Sequence, residues 1–206
     1  MIVKPKIKGS IHYDEKYIKV NGKDNYDLNA IDNKTKFVLA HLFVEKRTKK
    51  KCYEFLKQIK DSCYEQIIEQ FNKEKYKAVE DRKLIEFVCD KFANYKSAFS
   101  RLFYRVANLS FGVPIACKKY KLEHNNNSIE RYNGKIKDRM NGMRKGFSSF
   151  SGAENFMNLQ CIIHNFVNPH QELKDKTPAE MADIFLPLDR NKILGLARYL
   201  ANIPTI

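Results

Sequence analysis

Residues 11–22 read Ile11-His12-Tyr13-Asp14-Glu15-Lys16-Tyr17-Ile18-Lys19-Val20-Asn21-Gly22. β-branched and aromatic residues dominate this run, and it closes on Asn-Gly, a pair suited to a tight turn. A second extended run at 26–32, a turn at Asn33-Lys34-Thr35, and a third run at 37–44 follow directly. The pattern predicts three antiparallel strands joined by hairpins, with Asp14 inside the first.

Outward from this meander the period changes. Across 46–71 the apolar residues Cys52, Phe55, Leu56, Ile59, Cys63 and Ile67 recur at helical spacing, and 72–83 is a charged surface segment. Leu84-Ile85-Glu86-Phe87-Val88-Cys89 suits a short buried strand ending on Asp90. A helix over 93–104 comes next, then a strand at Val113-Pro114-Ile115-Ala116-Cys117, placed at an edge by its proline. Asn125-Asn126-Asn127-Ser128 can cap a helix running to about Met140, with Ile129, Tyr132, Ile136, Met140 and Met143 as its buried stripe. Phe156, Leu159, Ile163 and Phe166 give one apolar face to a helix over 153–168. Thr177-Pro178 opens a short helix, and 189–202 closes the chain with another. The order β-β-β-α-β-α-β-α-α predicts an α/β fold of ribonuclease H-like arrangement, a mixed five-stranded sheet flanked by helices. The expected division is a core over 1–168 and a C-terminal helical extension over 169–206.

The chain has 206 residues, 43% of them hydrophobic, enough to bury a sizeable core. With 38 Lys+Arg against 24 Asp+Glu its formal charge is +14, which favours a polyanionic partner, nucleic acid before an anionic membrane surface. No apolar run is long enough for a membrane-spanning helix, and the start carries no secretory apolar region. Five scattered cysteines without a C-x-x-C pair support neither a disulfide framework nor a zinc ribbon. Cys89 and Cys117 read as buried thiols, and the expected compartment is the cytoplasm.

Three acids stand at element ends: Asp14 in the first strand, Asp90 closing the fourth, and Glu130 in the first turns of the helix after the fifth. In a ribonuclease H-like sheet the first and fourth strands are neighbours, so their acids converge and the late helix adds the third. Oxygen ligands grouped without His or Cys suit Mg²⁺ or Mn²⁺, and repulsion among them is relieved by such cations. Two ions could activate an attacking oxygen and stabilise a leaving oxygen in phosphoryl displacement.

The segments around these acids resemble those of a known family. Residues 11–22, with Ala30-Ile31-Asp32 and Arg47, are similar to the first-acid segment of prokaryotic insertion-sequence transposases with a DDE-type, integrase-like catalytic core. Phe87-Val88-Cys89-Asp90 with Tyr95 resembles the second-acid segment, and Asn126-Asn127-Ser128-Ile129-Glu130-Arg131-Tyr132-Asn133-Gly134-Lys135-Ile136-Lys137 the third. Gly146-Phe147-Ser148-Ser149 and Thr177-Pro178-Ala179-Glu180 match downstream blocks. The resemblance implies Asp14, Asp90 and Glu130 as catalytic, metal-binding triad, two Mg²⁺ (or Mn²⁺) ions, transposon ends and target DNA as partners, a homodimer or larger assembly, and Lys137 at a DNA phosphate. Two features depart from the family: Lys91 follows Asp90 where glycine is usual, and the helix-turn-helix that normally precedes the first catalytic strand is expected to be missing.

Basic residues concentrate in two places. Residues 118–145 hold nine Lys/Arg against three acids, and Lys118, Lys119, Lys121, Arg131, Lys135, Lys137, Arg139 and Arg144 are the expected DNA-backbone contacts. Lys46-Arg47-Thr48-Lys49-Lys50-Lys51 reads equally well as a solvated patch. Asp32 is expected to serve its turn, and Asp27 is a second rival acid. Glu15, one residue from Asp14, should face the other side of the strand and not bind metal. His124 could approach the site; His164 should pack against the core; His12, His41 and His170 lack ligand spacing. The function expected is Mg-dependent DNA cleavage and strand transfer. The alternatives are an inactive remnant that at most binds DNA, or a ribonuclease H-like nuclease without transposition.

Overall fold

A computed structural model of the chain describes residues 4–112, 127–143, 146–188 and 190–201. Five strands, β1 (Ile11–Val20), β2 (Lys23–Asp32), β3 (Val38–Val44), β4 (Glu86–Cys89) and β5 (Asn108–Phe111), form one sheet in the order β3-β2-β1-β4-β5. β1, β2 and β3 pair antiparallel, whereas β4 runs parallel to both β1 and β5, so the sheet is mixed as expected. The β1–β2 turn uses Asn21 at φ 48° and Gly22 at φ 74°, the left-handed pair that matches the twist of a two-residue hairpin. Its tip is held by the 146–149 segment: Asn21 donates its backbone N–H to Phe147 O at 3.0 Å and its amide to Ser148 O at 2.7 Å.

Helices cover both faces. Alternation along β1 sends Tyr13 to one side and Ile18 and Val20 to the other. Tyr13, Leu28 and Phe87 pack against Phe55 and Ile59 of α1 (Lys49–Glu74) and Tyr95 and Phe99 of α2 (Ala93–Phe103). On the opposite face Ile18, Val20, Ile31 and Phe43 meet Ile129, Tyr132 and Ile136 of α3 (Asn127–Asn141) and Met157 of α4 (Phe150–Phe166). Thr48 caps α1 by accepting from Lys51 N, which moves its start three residues past the sequence expectation.

Two elements differ from the sequence reading. The fifth strand is Asn108–Phe111, earlier than expected; the stretch 113–117 and Cys117 lie outside the described residues. In α4 the buried face is Ala153, Met157, Gln160, His164 and Asn165, while Leu159 is half exposed. The reason is polar bonding. Asn165 accepts from Val38 N (2.9 Å) and donates to Val38 O (3.1 Å), and His164 Nε2 donates to Lys36 O at 2.8 Å. Beyond α4, the short helix α5 (Pro178–Met181) opens on a capping box between Thr177 and Glu180, and α6 (Lys192–Ala201) follows. Ala179 and Ala182 belong to the first core, and Lys6 N–H donates to Ala182 O at 2.9 Å.

Candidate active site

The β1–β4 register aligns Ile11 with Phe87 and His12 with Val88, and continuing it two residues further sets Asp14 beside Asp90. Carboxylate oxygens of Asp14, Glu15 and Asp90 all lie within 4.8 Å of one another. Burial, then the charges of Asp90 and Glu130, lift the Asp14 carboxyl from 3.8 to about 7, against the pull of Arg47 and Lys16. Asp90 is also raised by burial, although a hydrogen bond from Phe92 N–H at 3.2 Å and the charge of Arg47 favour its ionised form.

Glu15 belongs to the carboxylate cluster, which its strand parity did not suggest. Its side chain sits on the α1–α2 side with its own partners: the Arg47 guanidinium pairs with one oxygen, and Tyr95 OH donates to the other at 2.9 Å. Arg47 is held in turn by Tyr17 OH at 3.1 Å and lies over the rings of Phe92 (4.3 Å) and Tyr26 (4.7 Å). One packed cation thus faces three acids. Lys91, in the place of the usual glycine, lies against Gly112, whose φ is 85° and where a Cβ would come within 2.6 Å of Lys91 Cγ.

Glu130 is exposed in the first turn of α3, outside the tightest carboxylate group but close enough to act on Asp14. An acid there is favoured by the helix dipole. Asn133, one turn on, donates to Asp14 Oδ2 at 3.4 Å, and Lys137 is close enough to Lys16 to lower its pKa after burial has done so. The edge of α3 carrying Glu130, Asn133 and Lys137 therefore faces β1. Arg131, Lys135, Lys137 and Arg139 are all exposed; Lys118, Lys119, Lys121, His124 and Arg144 lie outside the described residues.

The rival acids have structural partners. Asp32 is fully buried, with Oδ1 accepting from Lys34 N and Thr35 N and Oδ2 from Lys8 N and Gly9 N. Asp27 is buried against Asn29 and His41. Sequence reasoning missed the placement of Arg47, Glu15 and Asn133. All three lie in the segments that carry the resemblance, Glu15 and Arg47 in the first and Asn133 in the third, but segment membership does not give their contacts.

A family model described as a DDE domain, of the IS240 transposase type, matches residues 8–170. No curated protein matches the chain. Among solved structures, the HTLV-2 integrase catalytic core domain in complex with magnesium, in its trimeric form, is similar at TM-score 0.51 and 14% identity, covering 86% of this chain and 97% of that one. A simian T-cell lymphotropic virus intasome in complex with PP2A regulatory subunit B56 gamma is similar at TM-score 0.55 and 12% identity, over 92% of this chain. This chain spans 61% of that one. The two likenesses show a shared ribonuclease H-like fold. Among the described residues no helix is long and apolar enough to cross a membrane.

Proposed function

Since the chain belongs to the DDE-domain family of IS240-type transposases, we propose that it cleaves DNA at transposon ends and joins the freed 3′-hydroxyl to target DNA, with Asp14, Asp90 and Glu130 as its catalytic carboxylates. The observation that carries this reading is the convergence of Asp14 and Asp90 from neighbouring parallel strands, with Glu130 near enough to raise Asp14. The donor set fits a hard divalent cation: it is all oxygen, and burial together with the charges of Asp90 and Glu130 raises the Asp14 carboxyl, a penalty on its ionised form that a cation would relieve. Asp14, Asp90 and Glu130 would hold Mg²⁺ or Mn²⁺, two ions in our reading. When bound, such ions supply activation of the attacking oxygen and neutralisation of charge on the leaving oxygen.

The remaining roles fall to the chain itself. Arg47 and Tyr95 keep both oxygens of Glu15 paired, leaving Asp14 and Asp90 to bind. Asn133 fixes the Asp14 carboxylate, and Lys137 meets a DNA phosphate beside it. Lys118, Lys119, Lys121, Arg131, Lys135, Arg139 and Arg144 complete the backbone contacts. We assign 1–168 as the catalytic core and 169–206 as a helical extension, and two or more copies acting on paired ends.

The test is a metal-dependent cleavage and strand-transfer assay on oligonucleotide ends, with Asp90→Asn and Asn133→Ala beside the parent chain. Asp90→Asn should lose all measurable product. Asn133→Ala should retain activity reduced by about 10–100-fold, the usual cost of removing a partner behind a metal ligand. Equal cleavage by the parent chain and Asp90→Asn would sink the triad. Nicked product without joined product would identify a nuclease instead.

A further inference from the structure

Strand alternation makes Tyr17 the next residue of β1 after Glu15 on the α1–α2 side, about 7 Å further along the strand. Helices cover Tyr13 on this side, yet Tyr17 is 57% exposed. It packs against Tyr26 in a T-shaped pair, with ring centroids 5.0 Å apart, and its hydroxyl accepts from Arg47 at 3.1 Å. So much exposure leaves one ring face open. The same guanidinium pairs with Glu15, so one side chain fixes both the ring and an acid of the carboxylate cluster.

Burial raises the Tyr17 hydroxyl, and Tyr26, Asp90 and Asp14 then add to it, which puts the ring within electrostatic reach of both acids. Other exposed tyrosines have a different setting. Tyr76 and Tyr104 are more exposed still, but they lie against Lys75 and Arg105, their own neighbours in the chain. Cations flank Arg47 as well. Lys46 and Lys49 are exposed and have no carboxylate partner among the described residues, whereas Lys50 and Lys51 pair with Glu54.

An open aromatic face with cations alongside suits a single nucleic-acid strand, whose bases stack while its phosphates are neutralised. Asp14 and Asp90 are half-buried, so a phosphodiester drawn to them is pulled out of duplex geometry and the base beside it loses its stacking. That base needs a surface. We propose that Tyr17 supplies it, stacking the nucleobase next to the phosphate held at Asp14 and Asp90, while Lys46 and Lys49 meet the backbone of the same unpaired strand. The inference rests on the reading that DNA is the substrate. To the backbone contacts of α3 it adds a contact to a base, made from the opposite side of the sheet. Every base has a π-face, so the contact holds the strand open without selecting its sequence.

Fluorescence anisotropy without divalent ions, on a blunt duplex and on the same duplex with a short unpaired tail, tests it. Tyr17→Ala should bind the tailed duplex about 5–150-fold more weakly and the blunt duplex as the parent chain does. Tyr17→Phe keeps the ring and should follow the parent; Tyr17→Leu, apolar without a π-face, should follow Tyr17→Ala. Tyr104→Ala should change neither affinity. A 2-aminopurine in the tail reports the stacking directly: its fluorescence should fall on the parent chain and not on Tyr17→Ala. An abasic site at the stacked position, which needs no variant of the protein, should weaken the parent as much as Tyr17→Ala does. The two changes together should cost no more than either alone. Equal affinity of the parent and Tyr17→Ala for the tail, or abasic sites without effect throughout it, would overturn the platform; if Tyr17→Ala weakens both duplexes alike, the abasic result on the parent decides. A parent chain that binds neither duplex would instead sink the DNA reading, which Asp90→Asn in the cleavage assay tests on its own.

Discussion

Arg47 stands in a lysine run that reads from sequence as a solvated patch, yet its guanidinium is packed over Phe92 and Tyr26 and bonded to Glu15. It offsets only part of the effect of burial and of the neighbouring acids, and Asp14 still rises to about 7. A carboxyl whose folded pKa lies above its unfolded value binds more protons folded than unfolded between the two, so its contribution to stability falls as pH rises from about 4 to about 7. At ~1.4 kcal/mol per unit, the displacement from 3.8 to about 7 sets a ceiling of about 4 kcal/mol. Asp14→Asn keeps the neutral form at every pH. In chelator, its melting temperature should exceed that of the parent chain by several degrees at pH 8, and the gap should close toward pH 4. A gap independent of pH, or a less stable variant at pH 8, would refute the displacement. Asp14, Asp90 and Glu130 were legible because sequence pattern places the strand that contains the first, the strand end that precedes the second and the first helical turn that carries the third. Glu15 was not, because strand parity gives a side chain's direction but not the reach of its carboxylate back toward the strand end.

At the scale of elements, what the sequence concealed was polar burial. Strand and helix existence followed from apolar period, but in α4 that period selected Phe156, Leu159, Ile163 and Phe166, whereas Gln160, His164 and Asn165 lie inside. A buried amide is invisible to a count of apolar residues, since its cost is cancelled only by partners distant in sequence. Here those partners are the N–H and C=O of Val38, beside the irregularity where β3 shifts register against Ala30 and Ile31. Asn165 thus acts as one more residue of strand for the edge of the sheet. Asn165→Leu keeps the branching and the number of side-chain heavy atoms but leaves both backbone groups unpaired, which should cost about 2–6 kcal/mol at ~1–3 for each buried orphan. Leu159→Ala, which removes the more apolar side chain, should cost under ~1 kcal/mol because the residue is 51% exposed. Urea denaturation of the two variants measures the contrast. The reverse ranking would restore the apolar stripe as the packed face.

For the whole molecule, the acids lie where the two layers of helices are tied to one sheet: Glu15 and Asp90 through α1 and α2, Asp14 and Glu130 through α3. Integrity of both layers is therefore a condition of the site. The chain after α4 contributes to this more than its position suggests. Ala179 and Ala182 complete the α1–α2 core, Leu173 is buried, Lys6 N–H bonds to Ala182 O, and Lys8 pairs with Asp183 at 2.7 Å. By contrast α6 meets the rest through Leu196 and the Lys192–Glu180 pair and exposes Ile193 and Leu194. Ending the chain after 188 should lower the melting temperature by only a few degrees and leave cleavage intact. Ending it after 168 uncovers core and leaves the Lys6 N–H without its partner, a loss of about 3 kcal/mol or more from burial alone. That is a large part of the 5–15 kcal/mol that holds a domain of this size. The shorter chain should bind a hydrophobic dye and lose the cooperative melt, and cleavage should fail with it. A cooperative melt in the shorter chain would mean that the segment around Ala179 and Ala182 is ornament to a core complete without it.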